Sequence, residues 1–204
     1  MEHSYRSTAY VWFDTEYSTL DLESAVLLQV ACVVTDADLN RLFPVEQDVR
    51  FHVRLPDGVR VSPWIEENMP DLLRVCRSEL ALDVAEIDAR LAELVGRVGV
   101  PGGEDKRRPV LAGNSIHADW RLAQKYLPKF MKTLHYRHLD VTALKLQWQD
   151  WRQGPAFDKD NIEELRTYLP GPKHLLDGRR HDAYYDVLAS IAELNYYRHQ
   201  LFAK

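Results

Sequence analysis

Two hydrophobic rhythms divide the chain, a strand-like one near the start and a helical one later. Residues 9–14, AYVWFD, are β-branched and aromatic and read as a strand that ends on an acid. Residues 25–35, AVLLQVACVVT, form a longer valine-rich run, which suits a central strand covered on both faces. The turn DADLN leads toward FHVRL, residues 51–55, a third strand. These three segments predict a meander that opens a sheet. Helical spacing then takes over. Ser62-Pro63 has the form of a cap and first turn, followed by Trp64, Ile65, Leu72, Leu73 and Val75. A second helix, over 82–98, aligns Ile87, Leu91, Leu94 and Val95 in one apolar stripe.

Residues 99–109, GVPGGEDKRRP, form a loop by their Gly, Pro and charge content, and separate two parts of one fold. Residues 110–114 read as a short strand, and a helix runs over 116–127 until Pro128 interrupts it. Residues 138–141 end another strand. A helix over 142–152 carries Leu144, Trp148 and Trp151 at i, i+4, i+7 spacing, and one over 183–200 carries Val187, Ile191, Leu194 and Tyr197. Both stripes read as core or subunit interface rather than a cofactor site. Without repeats or low-complexity segments, strands followed by mixed strand and helix predict one layered α/β domain over residues 1–204.

Composition narrows the function classes. A chain of 204 residues can bury one sizeable core, and 46% hydrophobic with 28% charged residues excludes a disordered chain. Cys32 and Cys76 lie in apolar stretches without metal-ligand spacing, so buried thiols in a reducing compartment are expected. The start, MEHSYRSTAYVW, has no apolar run behind basic residues, and no stretch reaches the roughly 18 apolar residues of a membrane span. The expectation is a cytoplasmic protein with no membrane partner. A net charge of −5 tells against coating long nucleic acid and leaves a short substrate open. Basic residues gather in Lys106-Arg107-Arg108 and in Lys173, Arg179 and Arg180, which charge pattern alone reads as solvated loops.

The acids change this picture only as a set. Asp14 and Glu16 stand two apart at a strand end, so both carboxylates project from one side. Like charges held so close repel, and a divalent cation such as Mg²⁺ would offset the repulsion. Alone, the pair reads as a solvated strand end rather than a metal site. In GNSIHADW, residues 113–120, a strand gives way to a turn and a helix whose first turn holds Asp119, facing back toward the strand ends; by itself this is a helix N-terminal acid stabilised by the macrodipole. In HDAYYDVLASIAEL, residues 181–194, His181 and Asp186 are five apart, about 140° around an ideal helix, so His181 belongs to the loop or first turn and Asp186 to the helix. Singly these are an exposed histidine beside the capping residue Asp182 and a surface acid. Together, four acids and a histidine in these contexts outline a two-metal phosphodiesterase. A neutral histidine can take the proton of the attacking water, so activity should fall when it is protonated.

These residues resemble the oligoribonuclease family of DEDDh 3′→5′ exonucleases. The resembling stretches are WFDTEYSTL (12–20), VACVVTDADLN (30–40), AGNSIHADWR (112–121), HYRHLDVTALK (135–145) and HDAYYDVLASIAELNYYR (181–198), in the family's order over nearly the whole chain. The resemblance implies a ribonuclease H-like fold, a mixed β-sheet flanked by α-helices. It also implies a homodimer that degrades very short RNA, dinucleotides above all, with two ions of Mg²⁺ or Mn²⁺. By matching position, Asp14, Glu16, Asp119 and Asp186 would be metal ligands and His181 the general base. Leu20 would be an apolar wedge between two bases. Ser115, Tyr136, Arg137 and Thr142 would grip the 5′ phosphate, Tyr136 coming from the partner subunit. The chain departs from the family at Thr19, where glycine is usual, at Gln29 for glutamate and at Thr142 for serine; the usual substrate histidine of the 62–80 region has no counterpart that can be assigned. A DNA proofreading or general DEDDh exonuclease, and a non-catalytic binding module on the same fold, are the competing readings; the Tyr136-Arg137 pair tells against the first and the complete acid set against the second.

Overall fold

The computed structural model describes residues 9–98, 108–152, 154–176 and 181–202. Most of the 99–109 loop, with Lys106 and Arg107, and also Arg179 and Arg180, lie outside the described residues. A five-stranded sheet in the order β3-β2-β1-β4-β5 forms the centre. Strands β1 (Tyr10–Tyr17), β2 (Leu27–Thr35) and β3 (Val49–His52) are the antiparallel meander, and β4 (Val110–Gly113) and β5 (His138–Asp140) add in parallel beyond β1. The third strand sits slightly earlier than the expected 51–55: Val53 still donates to the Leu28 carbonyl, but the Arg54 and Leu55 N–H groups turn to the Leu82 and Cys76 carbonyls.

Strand parity assigns the two layers. Trp12 of β1 and Ala31 and Val33 of β2 pack with α6 (Val141–Gln147), α7 (Ile162–Tyr168) and α8 (Ala183–Phe202). Val11, Phe13, Val30, Cys32 and Val34 face α3 (Val84–Gly96), α4 (His117–Tyr126) and α5 (Pro128–Met131). Every residue of β2 is buried, as a strand covered on both faces must be. The expected stripe Ile87, Leu91, Leu94 and Val95 is buried, and so is that of Val187, Ile191, Leu194 and Tyr197. Asp88, buried beside the α3 stripe, accepts from the N–H groups of Lys129 and Phe130 and so caps α5. Cys32 and Cys76 are buried free thiols.

Two helices expected as continuous are not. The segment after Ser62 divides at Met69 into α1 (Pro63–Asn68) and α2 (Pro70–Cys76). Ser62 caps α1 by accepting from the Ile65 N–H, and Pro70 then ends one helix and opens the next, since its ring cannot continue the ladder. Likewise α6 stops at Gln147 and Trp148–Arg152 winds wider, as one π turn. The wider turn breaks the i, i+7 alignment: Trp148 is buried, whereas Trp151 is 75% exposed and is no part of this chain's core. Among the described residues no helix is long and apolar enough to cross a membrane.

Candidate active site

β1 and β4 run parallel toward one end of the sheet, and the cavity lies beyond their carboxyl ends, where open α/β sheets place ligands. Asp14 and Glu16, on the α8 side of β1, line the cavity at that end. A bulge at Glu16/Tyr17 ends the regular pairing with β2 directly beside Glu16. From α8 comes Asp186, and one carboxylate oxygen from each of Asp14, Glu16 and Asp186 lies within 4.8 Å of the others. The N-terminus of α8 is fixed by two short polar side chains. Asp182 accepts from the Tyr184 and Tyr185 N–H groups, while Gln29 of β2 donates to Asp182 and accepts from the Ala183 N–H. Gln29 therefore uses both ends of its amide.

Asp119 approaches from the other layer. Thr15, between Asp14 and Glu16, has the opposite parity and meets α4, where both its N–H (2.9 Å) and its hydroxyl (2.6 Å) donate to one Asp119 oxygen. Asp119 thus faces back to the strand end as expected, and lines the same cavity, yet stands outside the tight group of three.

Burial sets the electrostatics. It holds the Asp14 carboxyl well above the usual range, helped by the charges of Asp119, Asp186 and Glu16 and opposed by Lys159. The Glu16 carboxyl is pushed up to about 8, by burial first and then by Asp186, Asp119 and Asp182. Asp119 is pushed up to about 7 by burial, against the lowering effect of its Thr15 hydrogen bonds. Carboxylates that repel in a dry setting are the donor set a hard divalent cation takes, so the residues fit such an ion.

His181 precedes α8 with φ of 65°, a left-handed conformation uncommon for a side-chain-bearing residue. Its N–H donates to an Asp186 oxygen (3.2 Å), and its ring meets that of Trp64 edge-on at 5.0 Å between centroids. The sequence reading found the histidine and missed its neighbour. Ser62, Trp64 and Ile65 line the cavity, and Trp64 is 48% exposed at the start of α1, facing the site instead of the core.

The cavity is about 640 Å³, the size that takes a small organic ligand. Leu20 and Ser115 line it, with Thr19, Asn114 and Ala118. Ser115 (φ 49°) donates its N–H to Asp140 and Thr142, and its hydroxyl lies 3.2 Å from that of Thr142. Behind this turn, Asn114 donates to Ser190 and to Glu193, a fully buried carboxylate that also accepts from Tyr197 and has Lys159 and Lys145 at 3.5 and 3.8 Å. Thr142, Tyr136 and Arg137 are not in the lining. Tyr136 is 74% exposed, stacked on His135, with the Arg137 guanidinium donating to its hydroxyl.

The exonuclease family model RNase_T matches residues 11–194. The mitochondrial oligoribonuclease of Bos taurus is 32% identical over 197 residues, covering 95% of this chain and 73% of that protein. An oligoribonuclease of Francisella tularensis subsp. holarctica is 32% identical over 198 residues, covering 95% and 96%. Among solved structures, exonuclease I of Methylocaldum szegediense superposes with a TM-score of 0.63 at 21% identity, covering 96% of this chain and 43% of that one. Cell-death related nuclease 4 superposes with a TM-score of 0.63 at 17% identity, covering 96% and 64%. At such identities these structures speak for the fold alone.

Proposed function

Since this chain belongs to the exonuclease family and stands with its oligoribonucleases, a 3′→5′ exoribonuclease, we propose that its cavity hydrolyses very short RNA, dinucleotides above all, to mononucleotides. The observation that carries the reading is the convergence of Asp14, Glu16 and Asp186 oxygens within 4.8 Å beside His181. Held by these three acids, with Asp119 across from Asp14, two ions of Mg²⁺ or Mn²⁺ would lower the pKa of a water and stabilise charge on the leaving 3′ oxygen.

His181 takes the water's proton at an imidazole nitrogen. Its anchorage to Asp186 and its contact with Trp64 restrict where the ring can lie, which is what a general base needs. Thr15 keeps one Asp119 oxygen occupied and thereby orients the other. Trp64 offers a ring face to a base, a contact worth about 1–3 kcal/mol in single-strand binding, and Leu20 lies between the two bases. Ser115 presents its hydroxyl to the 5′ phosphate, held by Thr142, whose own hydroxyl donates to Asn114 from outside the lining, and Arg137 joins the grip while Tyr136 closes over it from a second copy of the chain. Such an enclosure leaves no room for another nucleotide upstream. The exposure of Tyr136, Leu146 and Trp151 supports a homodimer, and the two buried thiols suit a reducing cytoplasmic setting.

The test is turnover of a 5′-phosphorylated diribonucleotide with Mg²⁺ or Mn²⁺, against RNAs of seven and twenty nucleotides and matching DNAs. Mononucleotides should form fastest from the dinucleotide, and EDTA should abolish the reaction. Equal rates at every length would overturn the enclosed pocket, faster turnover of DNA would favour a general exonuclease, and no turnover at all would favour a binding module.

A further inference from the structure

The hairpin joining β1 to β2 carries Leu20 to the mouth of the cavity, where that side chain is 88% exposed. A side chain with so little packing cannot fix its own place, so the loop must do it. The base of the loop closes through Ser18 and Val26, and an inner turn forms around Asp21, whose carbonyl accepts from the Ala25 N–H. Leu22 packs partly against the core. The far arm is tied to α4. Arg121 and Lys125 share one face of that helix, four residues apart. Arg121 pairs with Glu23, while the Lys125 ammonium donates to the carbonyls of Glu23 (2.7 Å) and Ala25 (3.2 Å). The Tyr126 hydroxyl donates to the same Ala25 carbonyl (2.8 Å).

We infer that Lys125 and Tyr126 are positioning residues for substrate binding, latching the hairpin to α4 so that Leu20 is held over the cavity. The inference rests on the proposed place of Leu20 between the bases. Because α4 also carries Asp119 in its first turn, one rigid element sets the spacing between a site acid and the apolar tip. Loosening the latch leaves the acids and His181 where they are. It therefore weakens binding without slowing the bound substrate.

The experiment is a double-substitution cycle on the 5′-phosphorylated diribonucleotide, measuring kcat and KM for the native protein, Leu20→Ala, Lys125→Met and the pair. Lys125→Met keeps the apolar stem and removes the donor; its KM should rise about three- to ten-fold, with kcat within about two-fold of native, the scale of a lost charge-assisted hydrogen bond. In the Leu20→Ala background the same substitution should move KM by less than about two-fold, because the latch then has nothing to position. Lys125→Arg, which can still donate to carbonyls, should recover most of the loss. Should Lys125→Met fail to fold, Tyr126→Phe tests the same point by removing a single hydroxyl. Equal KM increases in both backgrounds, or none in either, overturn the latch. A native KM in Leu20→Ala overturns the reading of Leu20 instead.

Discussion

Glu16 and Asp119, with carboxyls near 8 and 7, make the metal-free site sensitive to pH in a defined direction. Ordinary carboxyls titrate near roughly 4, so between there and 8 the folded protein holds protons that the unfolded chain has released. Stability from these groups is full at low pH and is lost as pH rises through 7 and 8. Bound cations compete for the same oxygens. Thermal melting without metal should therefore fall from pH 5 to pH 8, and the increase in Tm on adding Mg²⁺ should be larger at pH 8. A metal increment that shrinks with rising pH would contradict the electrostatics. Asp14→Asn should raise the metal-free Tm more at pH 8 than at pH 5, because the amide removes a carboxyl that burial keeps from ionising at low pH, while abolishing the increment from Mg²⁺. His181→Ala should keep that increment and lose about 10²- to 10⁴-fold in kcat, the range of general acid–base catalysis, and normal turnover would end its assignment as the base. At this scale the sequence was informative for the acids and His181, because strand parity and helix phase are simple periods. It was silent on Thr15 and marked Gln29 only as a departure from the family, because the roles of both depend on which side chain stands opposite in space.

Among the elements, β1 and β4 approach most closely where chemistry needs them. A Cβ added to Gly113 would lie 2.9 Å from the Phe13 carbonyl oxygen and from the Ile116 side chain. Backbone cannot yield there without moving Asp14, one residue further along β1. Gly113→Ala should destabilise the fold by about 1–3 kcal/mol in denaturant melts and weaken Mg²⁺ binding as well. Gly96, at the end of α3, has nothing within 4 Å of its added Cβ, so Gly96→Ala should be neutral or mildly stabilising. The meander and the stripes of α3 and α8 were legible because each spans several periods. The break at Pro70 was legible in the proline itself, as at Pro128, and was passed over for the apolar stripe; the π turn at Trp148 was not, since such a stripe keeps its spacing in sequence even where the backbone changes pitch.

For the whole molecule, the test concerns two copies. If Tyr136 serves its partner's cavity, Tyr136→Ala and Asp14→Asn proteins should each be nearly inactive alone on the dinucleotide. Mixed and allowed to exchange subunits, they should recover about a quarter of native activity. Half the dimers would then be mixed, each with one complete site. If Tyr136 served its own chain, no complete site could form and mixing would restore nothing. A monomeric mass in solution would remove the premise. One chain shows Tyr136 exposed and outside the cavity, and neither periodicity nor composition could have indicated which copy it serves.

The three-residue run Asp14-Thr15-Glu16 divides its loyalties between the two helical layers, and this has an evolutionary corollary. Deleting one residue upstream in the strand would turn both acids into the oily side and the threonine out of reach of Asp119, disabling reaction and folding in a single genetic event. Insertions and deletions inherited by descendants of this gene should therefore gather in its connecting loops and spare this strand.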